Sequence, residues 1–283
     1  MKSRPFTQVD VFGDTPLLGN PLAVVHAADG LSDAQMQAFA RWTNLSETTF
    51  LLPPTDPGAD YRVRIFTPLR ELPFAGHPTL GSCHAWHAGG GQPQQADQFV
   101  QQCAAGLIRI RRSGALLAFA APPCLRSGPL DEPLLARIGA ALGLRREQIV
   151  GHQWVDNGPG WCAVRLASAQ AVLALEPDWA GLSDIKLGVV GAHPDGHAAR
   201  FEVRALIGEG GGYEDPVTGS LNASLAQWLI ESGDAPEVYV ASQGACLGRA
   251  GRVCIERIAG QVWVGGACVS VLRGEVSLPG AEV

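Results

Sequence analysis

With 283 residues, 46% hydrophobic and 17% charged, and a net charge of -6, the chain has the balance of a globular protein. It exceeds one typical domain, so two lobes or one large fold are expected. The charge is mild and no Lys/Arg stripe is present, which excludes nucleic acid as a partner; "RIRR" at Arg109 to Arg112 alternates like the outer face of a strand.

The opening "MKSRPFTQVDVFGD" lacks the apolar run of a signal peptide, and no segment reaches the roughly 18 uninterrupted apolar residues of a membrane span. No membrane partner and a cytoplasmic location are expected. Seven cysteines, odd in number and never spaced as CxxC, argue against a disulfide framework or a structural zinc, and most are expected to be small buried hydrophobes.

In chain order, "FTQVDVF" and "PLAVVHA" read as strands and "LSDAQMQAFARW" as a helix. "YRVRIFTP" is an extended strand, followed by a Gly/Pro turn, the helix "HPTLGSCHAWHAG" and β-type runs through "AAPP". "APPCLRSGPLDEP" is proline-rich and polar, a boundary signal, and "PLLARIGAALGLR" is an amphipathic helix. The order then repeats. "HQWVDNGPGWCAVRLA" gives strand, turn and strand, and "DWAGLSDIKLG" a short helical or turn segment. "AARFEVRALI" is a strand, "SLNASLAQWLIES" a helix, and "EVYVASQG", "GRVCIERI" and "QVWVGGACVSV" are further strands.

The separation of Val9 from Gly76 is close to that of Val155 from Gly219, a weak internal symmetry that reads as a duplicated lobe. The expected division is 1–122 for the N-terminal lobe and 123–271 for the C-terminal lobe, with the last strand, about 272–283, returning to the first.

Four stretches in this order, "SETTFLLPP", "FTPLRELPFAGHPTLG", "EDPVTGS" and "ASQGACLGRAG", make the chain resemble the PhzF-like family, named for phenazine biosynthesis. The resemblance spans nearly the whole length. It implies an α+β, diaminopimelate epimerase-like fold: two pseudo-symmetric lobes, each a mixed, mostly antiparallel sheet wrapped around a central helix, with the site in the cleft between them. It implies no metal, no organic cofactor and a homodimer. "GNPLAVV" from Gly19 is similar to the Gly-Asn element of those epimerases. Where the epimerases carry a cysteine at each facing helix start, this chain has Ala75 and Asp215, which speaks against two-thiol racemisation.

Glu47, in "TNLSETTF", is the first candidate for acid/base work, with Phe50, Leu51 and Leu52 offering the apolar surroundings that raise a carboxyl pKa. Its spacing from Asn44 equally fits a capping box. The resemblance assigns Glu47 the role of removing a proton from one carbon and returning it to another. His77 precedes Pro78, which suggests an N-cap place with proline at N1 and a neutral ring; a buried histidine bonded to backbone is the bland alternative. The resemblance has it hold or polarise the substrate.

Asp215 before Pro216 is an ordinary N-cap pair by local rules. The alternative reading puts a substrate carboxylate on the Gly219 and Ser220 amides and an amine or hydroxyl on Asp215. Glu214 reads as a solvated rim charge. Ser46 bonds substrate or caps a helix, and Ser242-Gln243-Gly244 closes the site or forms a tight turn. The candidate set is Glu47, His77 and Asp215 for catalysis, with Ser46, Gly76, Gly219, Ser220, Gln243 and Gly244 for binding a small carboxylate.

"GEGGG" from Gly208 opens no dinucleotide-binding unit and reads as a loop. Neither Cys83, His84 and His87 nor His193 and His197 bring enough ligands for a metal. The expected function is a cofactor-independent isomerase moving a proton on a small amino- or hydroxy-carboxylate. The alternatives are an amino-acid or hydroxy-acid epimerase, and a non-catalytic small-molecule binding protein.

Overall fold

The structure, a computed structural model, describes residues 2–278. In chain order the elements are β1 (Lys2–Val11), β2 (Asn20–Val25), α1 (Asp33–Thr43), β3 (Thr48–Leu52), β4 (Tyr61–Phe66), β5 (Glu71–Leu72), α2 (Gly76–Ala88), β6 (Gln98–Cys103), β7 (Gly106–Ser113) and β8 (Leu116–Ala120). They continue as α3 (Glu132–Ala141), β9 (Ile149–Trp154), β10 (Trp161–Leu166), α4 (Ala169–Leu173), β11 (Lys186–Ala192), β12 (Phe201–Ile207), β13 (Tyr213–Asp215), α5 (Gly219–Glu231), β14 (Val238–Gln243), β15 (Gly251–Ile258) and β16 (Gln261–Leu278). The chain forms two compact units, one running through Ala120 and resuming at Gly265, the other Ala121–Val264. Of the expected last strand, 279–283 lie outside the described residues.

In the first unit the strands run in the order β1-β2-β3-β4-β6-β7-β8, and β16 pairs with both β8 and β1, closing the path into a ring. Helix α2 touches β1, β2, β3, β4, β6 and β8, so it lies inside that ring. Its sequence, GHPTLGSCHAWHA, fits this place: Gly76 to Cys83 are all buried, with small residues on every side of the helix, and only the last turn is partly exposed. Hydrogen bonds from Ser82 Oγ to Thr49 Oγ1 (2.9 Å) and from Gln101 Nε2 to Thr79 Oγ1 (3.0 Å) lock it in register. Helix α1 is amphipathic and lies outside the ring. It starts with a Ser32/Gln35 capping box and buries Met36, Phe39 and Ala40 against Val25, Phe50 and Phe66.

In the second unit the order is β15-β14-β12-β11-β10-β9, with β13 on β12. Its pairing repeats that of the first. Antiparallel β9/β10, parallel β10/β11, antiparallel β11/β12 and parallel β12/β14 match β1/β2, β2/β3, β3/β4 and β4/β6. Helix α5 occupies the place of α2 in this series and is buried along Leu221, Ala223, Leu225, Ala226 and Leu229. A further apolar cluster joins Leu135 and Ile138 of α3 and Val172 of α4 to Val164, Leu187, Val189 and Leu206.

"DWAGLSDIKLG" takes the turn form of its two expected readings, and the cysteines depart from expectation. The helix standing in the place of α1 is α4, cut short by Glu176-Pro177, and "DWAGLSD" forms turns ahead of β11. Of the seven cysteines, all unpaired, only Cys83 and Cys162 are buried; Cys124 and Cys246 are exposed. No helix among the described residues is long and apolar enough to cross a membrane.

Candidate functional site

In the first unit Asn44 ends α1 with a left-handed conformation (φ 54°), and Glu47 follows it directly ahead of β3. The Asn44–Glu47 capping box is therefore absent: Asn44 closes a helix instead of opening one. Glu47 keeps a side chain 16% exposed, with Oε2 3.6 Å from Nε2 of His77. His77 is the second residue of α2, whose N-cap is Ala75, so Pro78 stands at the third position and not the first. The proline is still tolerated, because the amides of a first turn have no intrahelical acceptor to lose. Gly76 is the first residue of α2.

His77 is buried, and burial alone lowers its pKa to about 3, so the ring is neutral at neutral pH. The expected neutrality is present, with desolvation as its cause. The contact with Glu47 is consequently no ion pair, and 3.6 Å exceeds a hydrogen bond.

The tautomer follows from Asn20, whose Nδ2 lies 3.4 Å from His77 Nδ1 while Ser46 Oγ donates to Asn20 Oδ1 at 3.4 Å. With the Asn20 amide in this orientation its NH2 donates to Nδ1, which leaves the ring proton on Nε2, on the side of Glu47. That buried Nε2 has no hydrogen-bond partner among the described residues. Behind Asn20, buried Asp10 accepts from the Gly19 amide at 2.9 Å. Gly19 itself cannot carry a side chain, since a Cβ would stand 2.3 Å from the Val11 carbonyl oxygen. The nearest thiol along α2, Cys83, is buried and pushed far up, unsuited to act as a thiolate base.

In the second unit the N-cap of α5 is Thr218, not Asp215, which belongs to β13. Thr218 does not cap the helix with its side chain: its hydroxyl donates to Asp215 Oδ2 at 2.5 Å. Gly219 and Ser220 open α5, and Ser220 Oγ accepts from Trp161 Nε1 at 3.1 Å. Gln243 Oε1 accepts from the Thr218 amide (3.0 Å) and Asn222 Nδ2 (2.8 Å), while its Nε2 donates to Asp215 O and Thr218 Oγ1, both at 3.0 Å. Gly244 takes φ 95° in the turn after β14. Ser242 turns the other way, donating to Glu202 Oε2 at 2.5 Å beside His193.

Glu214 is not a rim charge. Its side chain is 4% exposed and receives Arg204 Nη2 at 2.8 Å, because the alternation of β13 turns it inward onto β12. His84 and His87 point to Ser270 Oγ and the Gly91 carbonyl, and His193 stacks on His197 at 3.8 Å.

Thus Ser46, Glu47, Gly76 and His77 gather within the first unit, and Asp215, Gly219, Ser220, Gln243 and Gly244 within the second. Sequence reasoning assigned no role to Asn20, Asp10, Thr218 or Asn222. Thr218 carried a usable signal, a good N-cap residue directly before Gly-Ser.

The sequence pattern of the family described as "Phenazine biosynthesis-like protein" matches residues 9–274. The chain belongs to that family. A trans-2,3-dihydro-3-hydroxyanthranilate isomerase of Pseudomonas fluorescens is 35% identical over 257 residues, 85% of this chain and 86% of that protein. A Schizosaccharomyces pombe protein called antisense-enhancing sequence 1 is 35% identical over 263 residues, 88% of each chain. A crystal structure of a phenazine biosynthesis protein of the PhzF family from Enterococcus faecalis superposes with a TM-score of 0.81 at 25% identity, covering 98% of this chain and 100% of that one. This member of the phenazine biosynthesis-like family is an isomerase with the α+β fold of its epimerase-like relatives.

Proposed function

We propose that this phenazine biosynthesis-like isomerase moves a proton on a small amino- or hydroxy-carboxylate, with Glu47 as the shuttling group and no cofactor. The observation that supports this most is the pairing of Glu47 with a neutral, buried His77. The two polar atoms stand 3.6 Å apart, and the histidine proton is directed toward the carboxylate side. A neutral imidazole suits this task because it donates one hydrogen bond to a substrate oxygen without protonating the neighbouring base. Glu47 takes the proton from one carbon and returns it to another on the same face, which needs one carboxylate only; inversion of a centre needs an acid and a base on opposite faces.

In the second unit, α5 starts without a side-chain cap, leaving its first amides to bind a carboxylate group, and Asp215 supplies an acceptor for an amine or hydroxyl. The cytoplasmic homodimer belongs to this reading through the family resemblance.

The test is turnover of trans-2,3-dihydro-3-hydroxyanthranilate in deuterated water, with Glu47→Gln as control. Deuterium placed in an isomerised product and lost in the variant supports the reading. Retained exchange in Glu47→Gln defeats Glu47 as shuttle, and an inverted product centre would replace isomerisation by epimerisation. No exchange with any of a panel of small amino and hydroxy acids would leave a binding protein.

A further inference from the structure

The site reading places Gln243 among the groups that bind substrate, yet its amide has no capacity left for one. A glutamine side chain offers two N–H donors and two acceptor lone pairs. Here Oε1 accepts from the Thr218 amide and from Asn222 Nδ2, and Nε2 donates to the Asp215 carbonyl and to Thr218 Oγ1. We propose that Gln243 is a positioning residue that fixes, through the Thr218 hydroxyl, the hydrogen-bond polarity of Asp215, so that Asp215 is presented as an acceptor. This rests on the reading of Asp215 as a substrate-binding group and assigns how that group is held.

The polarity is forced from the backbone outward. A peptide N–H can only donate, so the Gln243 atom 3.0 Å from Thr218 N is the oxygen, and the other end of the amide is the NH2. That NH2 lies 3.0 Å from Thr218 Oγ1, which must therefore accept there and spend its single proton elsewhere; the partner, at 2.5 Å, is Asp215 Oδ2.

Asn222 agrees with this assignment at both contacts of its NH2, donating to the Thr218 carbonyl at 2.9 Å and to Gln243 Oε1. All four residues are buried, Gln243 to 1% exposure, so water does not compete for these bonds.

Two further features fit. Thr218 stands at the N-cap, where a hydroxyl ordinarily accepts from an amide of the first turn, and it forgoes that bond to reach Asp215. The backbone after Gln243 is also pinned to this segment: a Cβ on Gly244 would stand 2.6 Å from the Pro216 carbonyl oxygen, so only glycine lets the strand end approach so closely.

The test reads the Asp215 carboxyl carbon by NMR in full-length protein carrying 13C-labelled aspartate, the signal assigned by its loss in Asp215→Asn. Thr218→Val and Gln243→Met should each shift the signal in the same direction. The double variant should shift it no further than Thr218→Val, because Gln243 acts through Thr218. Thr218→Ser, which keeps the hydroxyl, should stay at the wild-type position.

In deuterium exchange, Thr218→Val and Gln243→Met should each lower kcat/KM on the order of tenfold, the loss of one hydrogen bond to a charged group. Thr218→Ser should restore it. An Asp215 signal unmoved by Gln243→Met but moved by Thr218→Val would overturn the proposal, as would additive effects in the double variant. Should Gln243→Met fail to fold, Gln243→Glu serves: its carboxylate draws the Thr218 proton away from Asp215, and the same shift is expected. The carboxyl signal needs no turnover, so it decides on Gln243 even if Glu47→Gln shows that the proposed reaction is wrong.

Discussion

The Nε2 atom of His77 lies 3.6 Å from Oε2 of Glu47, the one buried histidine nitrogen in the first unit's site directed at a carboxylate that retains some exposure. Their separation leaves both polar atoms able to meet one substrate group. Glu47→Gln keeps shape and volume but removes the carboxylate proposed as the shuttle, so proton exchange should fall by about 100- to 10,000-fold while thermal unfolding stays near that of the wild type. Exchange rates in deuterated water check this.

Asn20 sets the tautomer of His77 by donating to Nδ1. Asn20→Asp replaces that donor by an acceptor, moves the proton to Nδ1 and turns Nε2 into an acceptor facing Glu47. 15N NMR of the His77 ring should report the exchanged tautomer, and exchange activity should fall on the order of tenfold or more. An unchanged Nε2–H form in Asn20→Asp would refute the assignment.

His77 also ties stability to pH. Its folded pKa of about 3 lies below the ordinary 6.5, so beneath pH 6.5 the unfolded chain takes up a proton that the folded chain refuses. Stability should therefore fall with acidification between pH 6.5 and about 3, with a slope approaching 1.4 kcal/mol per pH unit from this residue. Burial also lowers His26 and His84, so the measurement is urea unfolding at several pH values for wild type against His77→Asn, which should show the shallower slope.

Arg204 and Glu214 form an ion pair with side chains 6% and 4% exposed, and Arg204 also donates to the Val172 and Leu175 carbonyls. Glu214→Ala strands a buried guanidinium and should cost about 3–5 kcal/mol, measured by urea denaturation. The Arg204→Met/Glu214→Leu double variant should recover much of that loss, since no lone charge remains.

Gly19→Ala drives a Cβ to 2.3 Å from the Val11 carbonyl, a backbone atom that cannot rotate away. The expected loss is about 3 kcal/mol or more, with the Asn20–His77 contact disturbed and exchange activity reduced alongside stability. Wild-type-like unfolding would show that the β1–β2 approach is looser than the structure places it.

Many of the strands were legible in the sequence by itself, because β4 and β12 alternate apolar with charged residues and are followed by Pro68 and Gly208, a pattern that needs no distant partner to be recognised. The duplication was legible too, as near-equal spacing between strands and helix starts, and so were α1 and α3, whose apolar stripes repeat at helical period. The short motifs around Glu47, His77 and Asp215 pointed to the family, but local rules misjudged their surroundings. By local spacing Asn44 fits a cap at a helix start, yet it closes a helix; Asp215 fits an N-cap, a place taken by Thr218.

What only the tertiary structure decided is the direction in which each polar group is used. Glu214 turns inward because Arg204 on the adjoining strand offers a buried partner, and Gln243 reaches Thr218 and Asn222 across more than twenty residues of chain. Likewise, Asn20 meets His77 fifty-seven residues on. Hydrogen-bond polarity depends on partners brought together by strand pairing and helix burial, and nothing in local spacing encodes which of them will meet.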